Sequence, residues 1–280
     1  MTGRVLPPAM LRYSVETPRD GWELGEDTMP ESVIHDEAVA LIKAVLVAWA
    51  AGGGRRALIA RNLAVRWDED HPQFGVDPDV CVLSPPPPDS PDLRSVRTWV
   101  PGHAAPTLAI EVVSDANPRK DYVVGPEKYA ASGTGELWIF DPLLCGPTNY
   151  GGPFRLQVWR RGEDGTLTRS YADAGPAYSP AVGGYIVVVD GGRKIRIADD
   201  PAGTQLWPTR EESECAAKEA KRAAKEAERA AKEAALTAKE AALTAKEAER
   251  AAKEVALTAK EAALAWITEL ERELGRRPGG

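Results

Sequence analysis

A seven-residue repeat in the last quarter of the chain constrains the fold more than any other feature of the sequence. The repeat runs from Ala216 to Leu264 and reads AAKEAKR, AAKEAER, AAKEAAL, TAKEAAL, TAKEAER, AAKEVAL, TAKEAAL. Ala, Lys, Glu and Leu are strong helix formers, and no glycine or proline interrupts them, so the repeat predicts one continuous helix. At 1.5 Å per residue, such a helix extends for on the order of 75 Å.

Alanine occupies the positions at which this helix could pair with a second one. Ala217, Ala220, Ala224 and Ala227 follow the 3-4 spacing of a coiled-coil seam. The seam is shallow, because an alanine side chain buries little area. The sequence therefore leaves two interpretations open: a solvated helix, and a weak coiled coil that makes a homodimer.

The part of the chain before the repeat has the composition of a folded domain. It holds most of the 25 glycines, 23 prolines and 8 tryptophans, and about 200 residues are enough to bury a hydrophobic core. We expect an irregular segment over residues 1–30, a folded domain over residues 31–208 and the helix over residues 209–275.

The charge of the chain bears on its partners. A formal net charge of −7 provides no long-range attraction to nucleic acid, whose phosphates repel an acidic surface. Contact with nucleic acid would therefore need a local basic patch or a bound metal ion.

Cysteine usage and hydropathy bear on the location. Cys81, Cys145 and Cys215 are far apart and form no CxxC pair, which fits a reducing cytosol. The first residues lack the apolar stretch of a signal peptide, and the longest apolar run, residues 44–51, is too short to cross a bilayer. We expect a cytoplasmic protein with no membrane partner.

Hydrophobic periodicity predicts an α/β arrangement for the folded domain. A first helix is predicted over residues 32–51, capped by Ser32 and ended by the glycines at 52–54. Three strands follow at residues 56–67, 79–84 and 107–113, then a short helix within 118–132 and a strand at 136–140. Further strand candidates lie at residues 155–160, 167–171, 185–189 and 194–198. This order indicates an α/β core with an appended β-meander.

Two carboxylates stand out in the predicted strands. Asp79 opens the second strand, and Glu111 lies inside the otherwise apolar third strand, facing away from Ile110. An ionised glutamate in a buried strand needs compensation. A divalent cation shared with a second carboxylate would supply it, and so would an arginine or lysine at the sheet edge. The pattern alone leaves both open.

Five segments of the chain, in this order, resemble the Uma-two family of restriction endonucleases, within the PD-(D/E)XK nuclease superfamily. They are PDV at 78–80, LAIEVVS at 108–114, KDY at 120–122, KYAASG at 128–133 and ELWIFDP at 136–142. The resemblance covers roughly residues 30–208. It implies a restriction-endonuclease-like core (α-β-β-β-α-β) with extra β-strands, here followed by a long C-terminal α-helix. It also implies Mg²⁺ or Mn²⁺ as the cofactor and nucleic acid, DNA in the first place, as the partner.

The resemblance implies roles for individual residues. Asp79 and Glu111 match the two acidic positions that bind the metal ion beside the scissile phosphate, which makes them catalytic residues and metal ligands. The superfamily lysine would stand at Val113, and the place that the family uses instead, in the following helix, falls on Gly125. Lys128 is three residues further along the same helix face and is the candidate for the catalytic lysine.

Three more residues are candidates for the same site. Lys120 is a substitute for the lysine, and Asp121 is its neighbour in the KDY segment. His35 lies near the start of the first helix, where members of the family often carry a polar residue near the site. An exposed or capping histidine is the alternative for His35.

Two functions follow from these observations. The first is a metal-dependent endonuclease that hydrolyses phosphodiester bonds. The second is a catalytically inactive interaction protein that keeps the nuclease fold and assembles through its C-terminal helix. The acidic charge, the displaced lysine and the repeat favour the second, and the ordered segments favour the first.

Overall fold

The computed structural model describes residues 32–150 and 152–274. The segment over residues 1–30, which the sequence predicts to be irregular, lies outside the described residues. The chain forms two compact units, which divide between Glu212 and Ser213.

The described strands of the first unit form three sheets. The strands are β1 (Leu58–Ala60), β2 (Ala64–Arg66), β3 (Val80–Leu83), β4 (Ser95–Arg97), β5 (Leu108–Val112), β6 (Glu136–Phe140), β7 (Leu156–Arg161), β8 (Leu167–Asp173), β9 (Ala177–Ser179), β10 (Gly184–Val189) and β11 (Lys194–Ala198). The main sheet has the order β1-β3-β5-β6-β7-β8, the second β11-β10-β9, and the third pairs β2 with β4. Within the main sheet β5 and β6 are parallel, and the other neighbours are antiparallel.

The described residues form three α-helices: α1 (Val33–Gly52), α2 (Gly125–Ser132) and α3 (Arg210–Leu274). A π-helical turn, Lys120–Val124, leads directly into α2, and short 3-10 turns lie at Ser90–Asp92, Thr148–Tyr150 and Asp190–Gly192. Helix α1 begins after Ser32, whose hydroxyl accepts a hydrogen bond from the backbone N–H of His35. This N-cap satisfies one of the free N–H groups of the first turn, as the sequence predicts.

Helix α1 packs on one face of the main sheet. Its buried apolar residues recur at helical spacing and are Ala38, Val39, Ile42, Val45, Leu46 and Ala50. They share a hydrophobic core with strand residues that point to the same face: Val80, Val82, Leu108, Ile110, Val112, Trp138 and Phe140. Each fully buried valine, leucine or isoleucine contributes about 1.5–3 kcal/mol, so this layer holds α1 against the sheet.

The π-helical turn and α2 pack on the opposite face. Their tyrosines join a second core, formed by Cys81, Ala109, Val113, Tyr122, Tyr129, Leu137 and Ile139 together with neighbouring residues. The guanidinium of Arg161, on β7, donates to the carbonyls of Tyr129 and Ala130 at 3.1 and 2.7 Å. These carbonyls belong to the last turn of α2, where backbone acceptors lack helical partners. Arg161 therefore ties the end of α2 to the sheet.

The predicted α/β class with a long C-terminal helix is confirmed, with differences in detail. The strand predicted over residues 56–67 is interrupted: β1 and β2 are separated around Asn62, whose φ of 50° breaks the extended backbone. The sequence does not predict strands β4 and β9, because alternation between apolar and polar residues cannot be recognised in a strand of only three residues. The strands after β6 do not form one appended meander: β7 and β8 extend the main sheet, and β9, β10 and β11 form a separate sheet.

Helix α3 is longer than the repeat that predicts it. Thr209 and Glu212 form a capping box at its start: the Thr209 hydroxyl accepts from the Glu212 N–H at 3.1 Å, and the Glu212 carboxylate accepts from the Thr209 N–H at 2.7 Å. Pairs four residues apart, such as Lys232 with Glu228, support the exposed helix. In residues 32–150 and 152–274, no helix is both long and apolar enough to span a membrane.

Candidate active site

The backbone register brings Asp79 and Glu111 together. Strands β3 and β5 are antiparallel, with Val80 opposite Ile110 and Cys81 opposite Ala109. Continuing this register by one residue places Asp79 opposite Glu111. Directly opposed residues have Cβ atoms ~4.5–5.5 Å apart and point to the same face. Two acidic side chains that are 32 positions apart in the sequence therefore converge where β3 begins and β5 ends.

Protein donors hold one oxygen of each carboxylate. Asp79 Oδ2 accepts from the backbone N–H of Val112 at 2.7 Å and lies 3.2 Å from His35 Nε2. Glu111 Oε1 accepts from the hydroxyl of Tyr129 at 2.5 Å. Within residues 32–150 and 152–274, neither Asp79 Oδ1 nor Glu111 Oε2 accepts a hydrogen bond. Each carboxylate is thus oriented through one oxygen and keeps the other available.

The electrostatic environment disfavours a negative charge on this cluster. Burial, and then the charges of Asp79 and Asp121, raise the pKa of Glu111 well above its usual value, although Lys120 and the hydrogen bond from Tyr129 act in the opposite direction. Burial also raises the pKa of Asp121 to about 7, with Lys120 lowering it and Asp79 raising it. Burial and the neighbouring acids therefore favour the protonated forms of Glu111 and Asp121 when no cation is bound.

Two lysines border this space. A pocket of ≈110 Å³ is lined by Gly75, Val76, Asp77, Glu111, Lys120, Val124, Gly125, Lys128 and Tyr129. Lys120 Nζ lies 3.9 Å from Asp121 Oδ1. Burial opposes the charged form of Lys120, but Glu111, Asp121, Asp79 and Asp77 together hold its pKa above the usual value. The cluster thus combines oxygen ligands with fixed positive charges at one opening.

A family model described as "Putative restriction endonuclease" matches residues 17–175, which is more than half of the chain. The chain belongs to the Uma2 family. The resemblance seen in the sequence is thereby confirmed, and the matched region contains the whole cluster around Glu111.

Two further comparisons add little to this assignment. The chain is similar to a solved protein from Anabaena variabilis titled "a putative nuclease belonging to DUF820", with 15% identity, 55% of this chain and 76% of that chain covered, and a TM-score of 0.39. No curated protein matches the chain. The family assignment therefore rests on the family model.

In this Uma2 protein the structure brings the sequence-predicted residues to one place. Glu111, Lys120 and Lys128 line the same pocket. Asp121 is buried and acts electrostatically on Glu111. His35 is buried, at 3% exposure, and contacts Asp79. The alternative of an exposed histidine is therefore wrong.

Sequence reasoning missed two partners of the carboxylates. The Tyr129 hydroxyl is the donor to Glu111, although Tyr129 stood in the sequence next to Lys128. The Val112 N–H is the donor to Asp79, and no side-chain pattern signals a backbone donor. The alternative of an arginine or lysine partner holds only in part: among the described residues none forms an ion pair with Glu111, but the charge of Lys120 acts on it from a distance.

The donor set fits a small, hard divalent cation. In the described ranges, 32–150 and 152–274, no group of three or more His, Cys, Asp or Glu side chains is arranged to hold one metal ion. Mg²⁺ is usually held by one or two carboxylates, with waters and substrate phosphate as the other ligands. Asp79 Oδ1 and Glu111 Oε2, which accept no hydrogen bond from the described residues, match this ligand set for Mg²⁺. They do not match a structural zinc site, which needs four ligands in a tetrahedron.

Proposed function

We propose that this Uma2 protein is a metal-dependent endonuclease that hydrolyses phosphodiester bonds in nucleic acid, with DNA as the first substrate to test. The observation that carries the proposal is the convergence of Asp79 and Glu111, each held through one oxygen and free at the other. The family assignment supports the same conclusion, and the surrounding part of the chain is best understood as a restriction-endonuclease-like core over residues 31–208.

In this proposal Asp79 and Glu111 hold Mg²⁺ or Mn²⁺. When bound, such an ion neutralises phosphate charge and lowers the pKa of water, so that hydroxide is available at neutral pH. The protein contributes position. His35 and the Val112 N–H fix Asp79, and Tyr129 fixes Glu111.

The lysines act on the substrate. Lys128, which lines the pocket, has the catalytic role: its ammonium group stabilises the charge that develops on the phosphate. The positive charge of Lys120 offsets the negative charges of Asp121 and Glu111. The two lysines provide the local basic patch that a chain with a net charge of −7 needs to contact a phosphate group.

The test is a plasmid-nicking assay of the full-length chain in Mg²⁺, in Mn²⁺ and in EDTA. We expect nicking in either metal and none in EDTA. Asp79→Asn should abolish it. Asp89→Asn is the matched control, because Asp89, like Asp79, contacts a buried histidine (His103, at 3.0 Å), but it does not lie opposite Glu111 in the sheet. Equal cleavage by Asp79→Asn and the unsubstituted protein would refute the assignment.

One observation favours a second function, a nuclease-fold interaction protein without catalysis. Gly125 lines the pocket at the position where the family carries its lysine. Assembly would then fall to residues 209–275, through the alanine seam of α3 as a homodimer. Sedimentation of the full chain and of a chain ending at residue 212 distinguishes the two: a dimer that becomes a monomer, together with no cleavage in any metal, supports the interaction protein.

A further inference from the structure

An exposed phenylalanine lies beside the pocket that contains Glu111. The side chain of Phe74 is 57% exposed, and the next residue, Gly75, lines the pocket. Consecutive Cα atoms are ~3.8 Å apart, so the Phe74 side chain begins beside the pocket. Its ring packs at a tilt against the imidazole of His71, with 6.0 Å between the ring centroids.

The backbone under this ring is fixed. Val65 and Val76 exchange two backbone hydrogen bonds, at 2.8 and 3.1 Å. The N–H of Phe74 donates to the His71 carbonyl at 3.0 Å, which closes a turn of the type that proline favours at its second position. A Cβ on Gly75 would lie 2.5 Å from the Val65 carbonyl oxygen, so a glycine is required for this close approach. The ring is thus presented to solvent by a braced hairpin.

The size of the pocket limits what can enter it. At ≈110 Å³ it is well below the ~300–1,000 Å³ of pockets that enclose an organic ligand. It has room for one phosphate group or a few waters, at ~30 Å³ per water. If the phosphate of a nucleotide lies between Lys120 and Lys128, its base therefore remains outside the pocket, on the side of Gly75 and the exposed Phe74.

The loop that carries Phe74 is acidic. Asp68, Glu69 and Asp70 precede it, and the hydrogen bond from His71 is the largest of the effects that hold the pKa of Asp68 below its usual value. These charges would repel the phosphates of a second strand. A single strand, in contrast, can turn its backbone to the lysines and its base to the ring.

From these observations we infer that Phe74 is a stacking platform for an unpaired nucleobase next to the scissile phosphate, and that the preferred substrate is single-stranded or locally unpaired nucleic acid. The inference rests on the proposed nuclease function and specifies its substrate. Every base has a π-face, so stacking on one aromatic ring tolerates any sequence.

The experiment compares three fluorescent probes by anisotropy in Mg²⁺: a dT12 strand, an abasic strand of equal length and a dT12·dA12 duplex. The full-length chain carries Glu111→Gln, so that binding is measured without cleavage. We expect dT12 to bind about tenfold more tightly than the abasic strand, which corresponds to ~1.4 kcal/mol, within the range for one stacked base. The duplex should bind more weakly than dT12.

Substitutions then locate the effect. Phe74→Ala should remove the preference for dT12 over the abasic strand, and Phe74→Trp should keep it. The control is Tyr178→Ala, which truncates an aromatic side chain 46% exposed on β9 and should leave the preference unchanged. Asp70→Asn should raise the affinity for the duplex.

The outcomes separate this inference from the proposed function. If dT12 and the abasic strand bind equally while the unsubstituted protein cleaves DNA, or if the duplex binds more tightly than dT12, the inference is wrong and the nuclease function remains. If the unsubstituted protein neither cleaves DNA nor binds any probe, both are wrong.

Discussion

Two glutamates lie buried in neighbouring parallel strands, and their surroundings differ. Glu136, at the start of β6, has a donor for each oxygen: the Trp138 indole N–H at 2.5 Å and the Ala181 N–H at 3.4 Å, with Arg160 Nε at 4.0 Å. Glu111, near the end of β5, has one donor among the described residues, the Tyr129 hydroxyl.

The neighbours of the two glutamates complete the contrast. Glu136 faces the core that contains α1, beside an arginine. Glu111 faces α2 from the opposite end of the strands, where burial and then the charges of Asp79 and Asp121 raise its pKa. A buried acid whose oxygens are all satisfied holds a fold together. A buried acid left half satisfied among like charges weakens the fold and marks a place for a cation.

The largest expected difference between the two glutamates is in cleavage. Glu111→Gln should lower the rate by at least about 10²–10³-fold, the scale for removing one group that stabilises the transition state, because a neutral amide is a poor ligand for Mg²⁺. Glu136→Gln keeps the shape of its side chain and should cleave at close to the original rate. Rates from the plasmid-nicking assay, compared at equal folded concentration, check this, and equal losses in both variants would erase the distinction.

A second contrast concerns two buried histidines that each contact an aspartate, His35 with Asp79 and His103 with Asp89. His35→Ala should weaken Mg²⁺ binding by about 10–100-fold, the usual effect of removing a group that orients a metal ligand, because Asp79 loses a contact at Oδ2. His103→Ala should leave Mg²⁺ affinity unchanged. Calorimetric titration of both variants is the measurement. A similar affinity for both would mean that His35 does not orient Asp79.

Substitutions at the two glutamates should also differ in their effect on the stability of the metal-free protein. Glu136→Ala leaves the buried indole N–H of Trp138 and the part-buried N–H of Ala181 without an acceptor and should cost about 1–3 kcal/mol. Glu111→Gln removes a carboxylate that its neighbours repel, and should leave the stability at pH 8 unchanged or higher. Urea unfolding followed by tryptophan fluorescence in EDTA gives both values. A clear loss with Glu111→Gln would show that Glu111 is structural.

The smallest effect is in the pH dependence of stability without metal. The folded protein binds protons on Glu111 and Asp121 more tightly than the unfolded chain does, so the free energy of unfolding should fall as pH rises from about 4, the range of unfolded carboxylates. For Asp121 the fall should end near pH 7, where its raised pKa lies. Asp121→Asn should flatten the curve up to that pH, whereas the unrelated Asp164→Asn should not. Urea midpoints measured at each pH in EDTA decide the matter.

The sequence alone determined what depends on local period. The repeat in α3 specifies a helix residue by residue, because backbone hydrogen bonds within a helix join positions four apart. Strand alternation likewise put Glu111 and Ile110 on opposite faces, and the ordered segments identified the family that the family model confirms. The extent of the strand β6, residues 136–140, was also predicted as the structure has it.

The tertiary structure alone decided how these elements combine at the candidate site. The pairing of Asp79 with Glu111 depends on the register of β3 and β5, and the Tyr129 hydroxyl reaches Glu111 because Arg161 and the second core hold α2 against the sheet. The contact of His35 with Asp79 joins residues 44 positions apart. Such contacts form between surfaces that meet only after folding, so no local pattern encodes their distances, donors or shared charge.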